Sequence, residues 1–182
     1  LSGETVIVGA PQDDVNGNVN QGSAHVFTRS NATWSPQTRL TANDGAGGDT
    51  FGHSVALSGE MAVIGAPTND GGSNSDQGSA YVFVRDNVTW TQQQQMFASD
   101  GASNDSAGQA VAISGFTALI GAPNDDVNGN NDQGSTYVFS PTCPTMTLSP
   151  ATLPSGTQNL TYPTTTISSG AGTMPLTYAL IA

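Results

Sequence analysis

Short alternating hydrophobic stretches, separated by turn residues, run along the first 140 residues of the chain. In "SAYVFVR" (79–85), Ala80, Val82 and Val84 alternate with Tyr81 and Phe83, so a strand there has apolar side chains on both faces. Two apolar faces predict a small sheet that lies between similar sheets. Turn residues divide the surrounding segment into four predicted strands, at about 53–58, 61–65, 79–85 and 90–97.

The pattern repeats with a period of 56 residues. Three stretches align without gaps around a shared Gly-Ala-Pro: "ETVIVGAPQDDVNGNVNQGSAHVF" (4–27), "EMAVIGAPTNDGGSNSDQGSAYVF" (60–83) and "FTALIGAPNDDVNGNNDQGSTYVF" (116–139). Trp34 also aligns with Trp90. A four-stranded unit that cannot bury both faces alone is predicted to stack on its neighbours.

The number of units is uneven. Residues 1–3 align with residues 57–59, so the first unit is expected to begin at the tail of its first strand, and residues 1–140 make two and a half periods. Known propellers close with four or more blades. Three interpretations stay open: a fragment of a longer propeller, an open stack capped by other parts of the chain, or copies that complete one another's sheets.

These phrases resemble a known family. "FGHSVA" (51–56), "AVIGAP" (62–67) and "GSAYVF" (78–83) together are similar to the FG-GAP repeat, which forms the blades of integrin-α-type β-propellers and occurs in large surface proteins. The resemblance covers residues 1–140, although the third copy has Ala107-Gly108 where the second has Phe51-Gly52. It implies an all-β fold of about two and a half to three four-stranded antiparallel propeller-blade-like repeats.

A second segment follows the repeats. After Phe139 the composition shifts to Pro, Thr and Ser with almost no charge, and residues 141–182 resemble the opening strands of an Ig-like module of bacterial surface proteins. We expect this short C-terminal β segment to be a partial Ig-like module or a strand-donating tail. Residues 145–153 align with the fourth-strand positions that start at Trp34 and Trp90, which makes them a candidate to complete the third unit.

The charge balance excludes some partners. The chain has 14 acidic residues, three arginines and no lysine, for a net charge of -11. Such a surface repels phosphate backbones and anionic membranes, which excludes nucleic acid as a partner. The apolar stretches are too short to span a bilayer, so no membrane insertion is expected. The one cysteine, Cys143, cannot form a disulfide within the chain or a Cys-based metal site.

One stretch invites comparison with a hydrolase. Gly52-His53-Ser54-Val55-Ala56 is close to the G-x-S-x-G elbow that presents a serine nucleophile. That elbow needs a helix after the serine, and no helical pattern follows Ser54. Only His25 and His53 are available as a base, and Ala110 occupies the Ser54 position in the third unit. We therefore interpret Ser54 as structural and predict that the protein is not an enzyme.

A polar loop after each Gly-Ala-Pro has the composition of a calcium site, because alternating Asp and Asn around a glycine supply convergent oxygen ligands. The predicted ligands are Asp126, Asn128, Asn130 and Asp132 in the third loop; Asp14, Asn16 and Asn18, with Asn20 behind them, in the first; and Asp70, Asn74 and Asp76 in the second. Ca²⁺ is the one cofactor that the sequence suggests.

The same loops have a second interpretation as plain turns. Asn, Asp and Gly also favour turns through local hydrogen bonds and positive φ. The family resemblance favours this alternative, because calcium loops of the integrin type precede the Gly-Ala-Pro strand, where this chain has only Ser58-Gly59-Glu60. The segment 44–49 and its copy 100–105 are predicted to be turns.

Four sequons match the N-glycosylation pattern, at Asn31, Asn87, Asn104 and Asn159. The first two lie at equivalent positions, each shortly before a Trp. A glycan there suits an extracellular scaffold, because it is solubilising and shielding.

Together these features predict an extracellular or cell-surface, non-enzymatic β-repeat protein that serves structure or adhesion. Its expected partner is itself, in a head-to-tail filament assembled by strand sharing, or another surface protein or glycan. The alternative is a fragment of a larger propeller adhesin that binds a protein or glycan through loops on one face.

Overall fold

The computed structural model describes residues 1–140, which form ten β-strands. Most of the strands follow apolar stretches of the sequence, and turns or loops separate them. In chain order the strands are β1 (Thr5–Ala10), β2 (Ser23–Ser30), β3 (Thr33–Leu40), β4 (Ser54–Ser58), β5 (Met61–Ala66), β6 (Ser79–Asp86), β7 (Thr89–Met96), β8 (Ala110–Ser114), β9 (Thr117–Ala122) and β10 (Ser135–Phe139).

The strands form three antiparallel sheets, one for each repeat. The first sheet has the order β1-β2-β3, the second β4-β5-β6-β7 and the third β8-β9-β10. The predicted all-β architecture of two and a half to three blade-like repeats is confirmed. The four strands predicted for the second repeat are also confirmed, with ends that differ by one residue at most. The segments predicted at 141–182 and 145–153, and Cys143, lie outside the described residues.

Two hydrophobic cores join the three sheets. β6 contributes to both: Tyr81 and Phe83 pack in the core against the first sheet, and Ala80, Val82 and Val84 pack in the core against the third. Phe51 is fully buried in the first core, where its ring meets the ring of Tyr81 edge to face at 5.3 Å. The alternation along β6 therefore places one strand in two interfaces, as the sequence predicts.

Glycines allow neighbouring repeats to approach closely. Gly65 of the Gly-Ala-Pro motif in β5 lies directly against the carbonyl oxygen of Gly108, so a Cβ atom at residue 65 would overlap with that oxygen. Gly9 meets the carbonyl oxygen of Gly52 in the same way. We call these two contacts the glycine seams. They explain why a residue without a side chain stands inside each of these strands.

The strand connections lie at two opposite edges of the stack. Tight turns at 31–32, 59–60, 87–88 and 115–116 lie at one edge, which we call the hairpin edge. The longer connections lie at the other end of the strands, which we call the loop edge; they are residues 11–22, 41–53, 67–78, 97–109 and 123–134.

Candidate functional site

The loop edge holds the residues predicted to bind calcium. In each of the three loops a carboxylate oxygen of the first Asp accepts the backbone N–H of the residue six positions later. The pairs are Asp14 with Asn20 at 2.9 Å, Asp70 with Asp76 at 3.0 Å, and Asp126 with Asp132 at 2.8 Å. The first Asp of each predicted ligand set therefore caps its own loop, as Asp does in ordinary turns.

The asparagines of these loops also shape the backbone. Asn16 and Asn128 have φ of 53° and 55° and stand at the tips of small turns closed by bridges between Val15 and Asn18 and between Val127 and Asn130. The side-chain amide of Asn18 donates to the carbonyl oxygen of Gly45 at 3.1 Å. Asn74 donates in the same way to Gly101 at 3.1 Å, and Asn130 donates to Gln133 at 3.2 Å. These contacts join each of the first two loops to the loop that follows β3 or β7.

The predicted calcium sites therefore have few carboxylates available. Each ligand set contains at most two Asp residues, and one of them already accepts a backbone hydrogen bond. Within residues 1–140, no three or more His, Cys, Asp or Glu side chains are close enough together to hold a metal ion. A site in these loops would depend on Asn and backbone oxygens. Calcium binding stays a prediction.

A polar cleft of about 290 Å³ lies on the loop edge between the first and second repeats. Its walls come from the two connections 44–49 and 68–76, and acidic, amide and hydroxyl groups line it, including Asp44, Asp49, Thr68, Asn69, Asp70 and Asp76. The Thr68 hydroxyl donates to the carbonyl oxygen of Gly48 at 2.6 Å. Asn69 donates to the buried carboxylate of Asp49 at 3.2 Å. The two repeats thus build this cleft together.

The electrostatic environment of the cleft is acidic. Burial raises the pKa of the Asp49 carboxyl above its ordinary value of 3.8. Hydrogen bonds from Ala46 and Asn69 oppose this rise in pKa, and the charges of Asp44 and Asp70 add to it. No basic residue is among the groups that line the cleft. Such a surface is suited to cations and to hydroxyl-rich ligands that donate hydrogen bonds.

The arginines of the chain are engaged elsewhere. Arg29 and Arg85 each make a two-pronged ion pair, with Glu4 and Glu60, and Arg39 meets Asp13 at 3.4 Å. The guanidinium groups of Arg29 and Arg85 also lie over the rings of Trp34 and Trp90, at 5.4 and 5.3 Å. The contacts of Arg29 and Arg85 lie at the hairpin edge, whereas the pair of Arg39 and Asp13 lies at the loop edge, outside the walls of the cleft.

The loop edge between the second and third repeats reproduces part of this arrangement. Asp105 is buried, and its carboxylate accepts the N–H of Ala102 at 2.5 Å. Burial raises the pKa of Asp105, as it does for Asp49. The Tyr137 hydroxyl meets the carboxylates of Asp100 at 2.6 Å and Asp125 at 3.1 Å.

Ser54 and the histidines have other contacts. The Ser54 hydroxyl donates to the carbonyl oxygen of Gly108 in the next repeat at 2.7 Å. His53 is exposed, and the His25 ring lies 3.1 Å from the hydroxyl of Ser23 on a strand of the first repeat. The hydroxyl of Ser54 therefore joins two repeats, which agrees with a structural role.

The sequons lie at both edges. Asn31 and Asn87 stand at equivalent turns of the hairpin edge, Asn104 lies on the loop edge, and Asn159 is outside the described residues.

The sequence predicted the sequons and the polar loops, but it did not predict the cleft. A local signal existed, since segment 44–49 combines two Asp with three Gly, but the wall that faces it comes from the next repeat.

No helix among residues 1–140 is long and apolar enough to cross a membrane.

The sequence profile of the FG-GAP repeat family matches residues 34–83 and 90–139, which together are more than half of the chain. The chain has no match among curated proteins.

Proposed function

Because the chain belongs to the FG-GAP repeat family, we propose that it is an extracellular structural or adhesive protein whose copies stack head to tail into a filament. Repeats of this family suggest an adhesion-type β-repeat protein, typically occur in extracellular or surface proteins and are generally non-enzymatic. The finer part of the proposal, assembly with itself, rests on the two outer faces of the stack.

One observation carries the assembly: an apolar position that inner interfaces bury is exposed on the third sheet. Val26 and Val82 are fully buried by the following repeat, whereas the equivalent Val138 is 67% exposed. Leu119 is also exposed, although the equivalent Ile7 and Val63 are buried. Covering a side chain of this size contributes about 1.5–3 kcal/mol. The face of the third repeat is thus a ready half of an inter-repeat interface.

The first repeat offers the complementary half. Val8 of β1 is 50% exposed, whereas the equivalent Ile64 and Ile120 are buried against the preceding repeat. A second copy whose first repeat covers the third repeat would continue the interface that already exists twice within the chain. A head-to-tail contact produces a filament when its rotation does not close into a ring, and the proposed assembly is this open form.

A polar contact supports the same register. The hydroxyl oxygen of Ser2 accepts the N–H of Gly59 at 3.0 Å, and that of Ser58 accepts the N–H of Gly115 at 3.2 Å. Ser114 is the next acceptor in this series. In the proposed stack Ser114 accepts from Gly3 of the following copy, because Gly3 is the equivalent of Gly59 and Gly115.

Strand sharing adds to the proposal. The first and third sheets have three strands each where the second has four, and within the described residues the outer edges of β1 and β10 have no neighbouring strand. Such edges pair readily with a strand from another chain. A strand donated by another copy would complete each sheet.

The experiment compares two interface variants with a matched control. We expect the full chain to form filaments by electron microscopy in calcium-containing buffer, and Val138→Glu or Val8→Glu to remain monomeric in sedimentation. Val88→Glu introduces the same charge at a turn position that is 70% exposed and away from both faces, so it should assemble normally. An equal mixture of the Val138 and Val8 variants should form dimers only, since each keeps one intact face. A monomeric parent chain, or filaments of the Val138 variant, contradict the proposal.

A second candidate function is a ligand-binding fragment of a larger propeller adhesin. The acidic cleft on the loop edge favours it, because the cleft is open to a protein or glycan ligand. This function predicts further repeats in the parent gene and binding by isolated particles. Binding to a glycan array that Asp70→Asn weakens and Val138→Glu leaves unchanged would support it over the filament.

A further inference from the structure

The two sequons at Asn31 and Asn87 differ from the one at Asn104 in their surroundings. All three residues of each of the first two sequons are exposed. The first two residues of each sequon form a two-residue turn, between β2 and β3 or between β6 and β7, and the Thr begins the next strand. Asn31 and Asn87 have φ of 57° and 55°. Both turns lie at the hairpin edge, and their exposed residues are accessible to an enzyme that binds an Asn-x-Thr segment.

Asn104 is held in the fold. Its backbone N–H donates to the carbonyl oxygen of Ser75 at 2.9 Å, and its own carbonyl oxygen accepts from the side chain of Asn124 at 3.3 Å. The middle residue of this sequon, Asp105, is 2% exposed, and the N–H of Ser106 donates to Asp76. A transferase would have to pull this segment away from its neighbours before it could reach the amide.

We propose that Asn31 and Asn87 carry N-linked glycans and that Asn104 does not. The reaction requires a lipid-pyrophosphate-linked oligosaccharide as the donor. The side-chain nitrogen Nδ2 forms a bond to the anomeric carbon of the first sugar, the bond from that carbon to the pyrophosphate oxygen breaks, and one amide proton is released. In Asn87 one amide N–H points to the carboxylate of Asp86 at 3.1 Å, and the amide has a second N–H.

The position of these glycans is compatible with either proposed function. The hairpin edge is separate from the outer faces that carry Val8 and Val138, and it lies at the other end of the strands from the cleft. Glycans at equivalent turns of successive repeats would form a row along one edge. They would shield that edge and leave both outer faces and the loop edge open.

The first test is peptide mapping by mass spectrometry of the protein from its native source. We expect hexose-containing glycans on the peptides of Asn31 and Asn87 and an unmodified Asn104. Unmodified Asn31 and Asn87 would overturn the proposal, and so would a glycan on Asn104. This result does not depend on whether the protein forms filaments.

The second test separates accessibility from sequence. The unglycosylated full chain with Asn159→Gln is treated with an oligosaccharyltransferase that accepts Asn-x-Ser/Thr, in two states. One sample is the native protein, and the other is unfolded in urea and diluted into the enzyme before it refolds. The native protein should be modified at Asn31 and Asn87 alone, whereas the unfolded sample should also be modified at Asn104. Thr33→Ala should abolish transfer to Asn31, and Thr33→Ser should restore it. Equal modification of Asn104 in the native protein would refute the structural distinction.

Discussion

Gly65→Ala adds one methyl group at the glycine seam between the second and third repeats. The new Cβ would overlap with the carbonyl oxygen of Gly108 and with the hydroxyl of Ser54. Neither obstacle can move freely, because the Ser54 hydroxyl donates to that same carbonyl at 2.7 Å and the Gly108 N–H donates to Gly121 at 3.0 Å. Relief of the overlap therefore requires the second and third sheets to separate.

The expected loss of stability follows from three contributions. Overpacking of a tight interior costs about 1–3 kcal/mol. Loss of the hydrogen bond between Ser54 and Gly108 costs about 1 kcal/mol. Replacement of Gly by Ala recovers about 0.4–1 kcal/mol, because it restricts the unfolded chain. We expect Gly65→Ala to lower the free energy of unfolding by about 1–4 kcal/mol.

Gly121→Ala is the matched control. Gly121 stands at the equivalent position of the third repeat, where an added Cβ would lie 3.6 Å from the Cβ of Ala110 in ordinary van der Waals contact. In the unassembled chain this variant should be neutral or slightly stabilised. The assay is urea unfolding followed by circular dichroism, with the midpoint and the slope compared among the three proteins. If Gly65→Ala is no less stable than Gly121→Ala, the predicted overlap at the seam is wrong.

Three further predictions concern the cores and the loop edge. Phe51→Ala should lower the free energy of unfolding by about 3–5 kcal/mol, because it empties a buried aromatic site, while Phe116→Ala, at a position 41% exposed, should cost less than about 1 kcal/mol in the same urea assay. The raised pKa of Asp49 stabilises the fold below about pH 3.8, and this contribution is lost as pH rises through the folded-state pKa. Above that pH, the Tm of Asp49→Asn should therefore fall less steeply with pH than the Tm of Asp86→Asn, which removes the same charge elsewhere. Equal slopes of Tm against pH in the two variants would contradict this cause. If the third loop binds calcium as predicted, Ca²⁺ should raise the Tm of the parent chain and raise that of Asp126→Asn less; equal gains would exclude that loop.

Much of the fold could be predicted because its signals are local. The alternation along residues 79–85 identified both faces of β6, and the 56-residue period carried that assignment to the other repeats. The seams and the cleft could not be predicted in the same way. A glycine inside a strand indicates that another backbone segment approaches closely, but the sequence does not identify Gly108 as the residue that contacts Gly65. Segment 44–49 was correctly predicted as turns, whereas its role as a cleft wall depends on residues 68–70 across the interface.

The two interfaces of the stack differ at the position of Phe51, and this difference has a mechanical consequence. The first interface contains Phe51, whose ring meets those of Tyr81 and Phe83 edge to face, whereas the second has Ala107 in its place. A load along the stack pulls the sheets apart and does not shear the hydrogen-bonded ladders within them. Since each repeat is held only by its neighbours, such a load should part the second interface first. The alanine would thereby set the point at which the protein yields under tension.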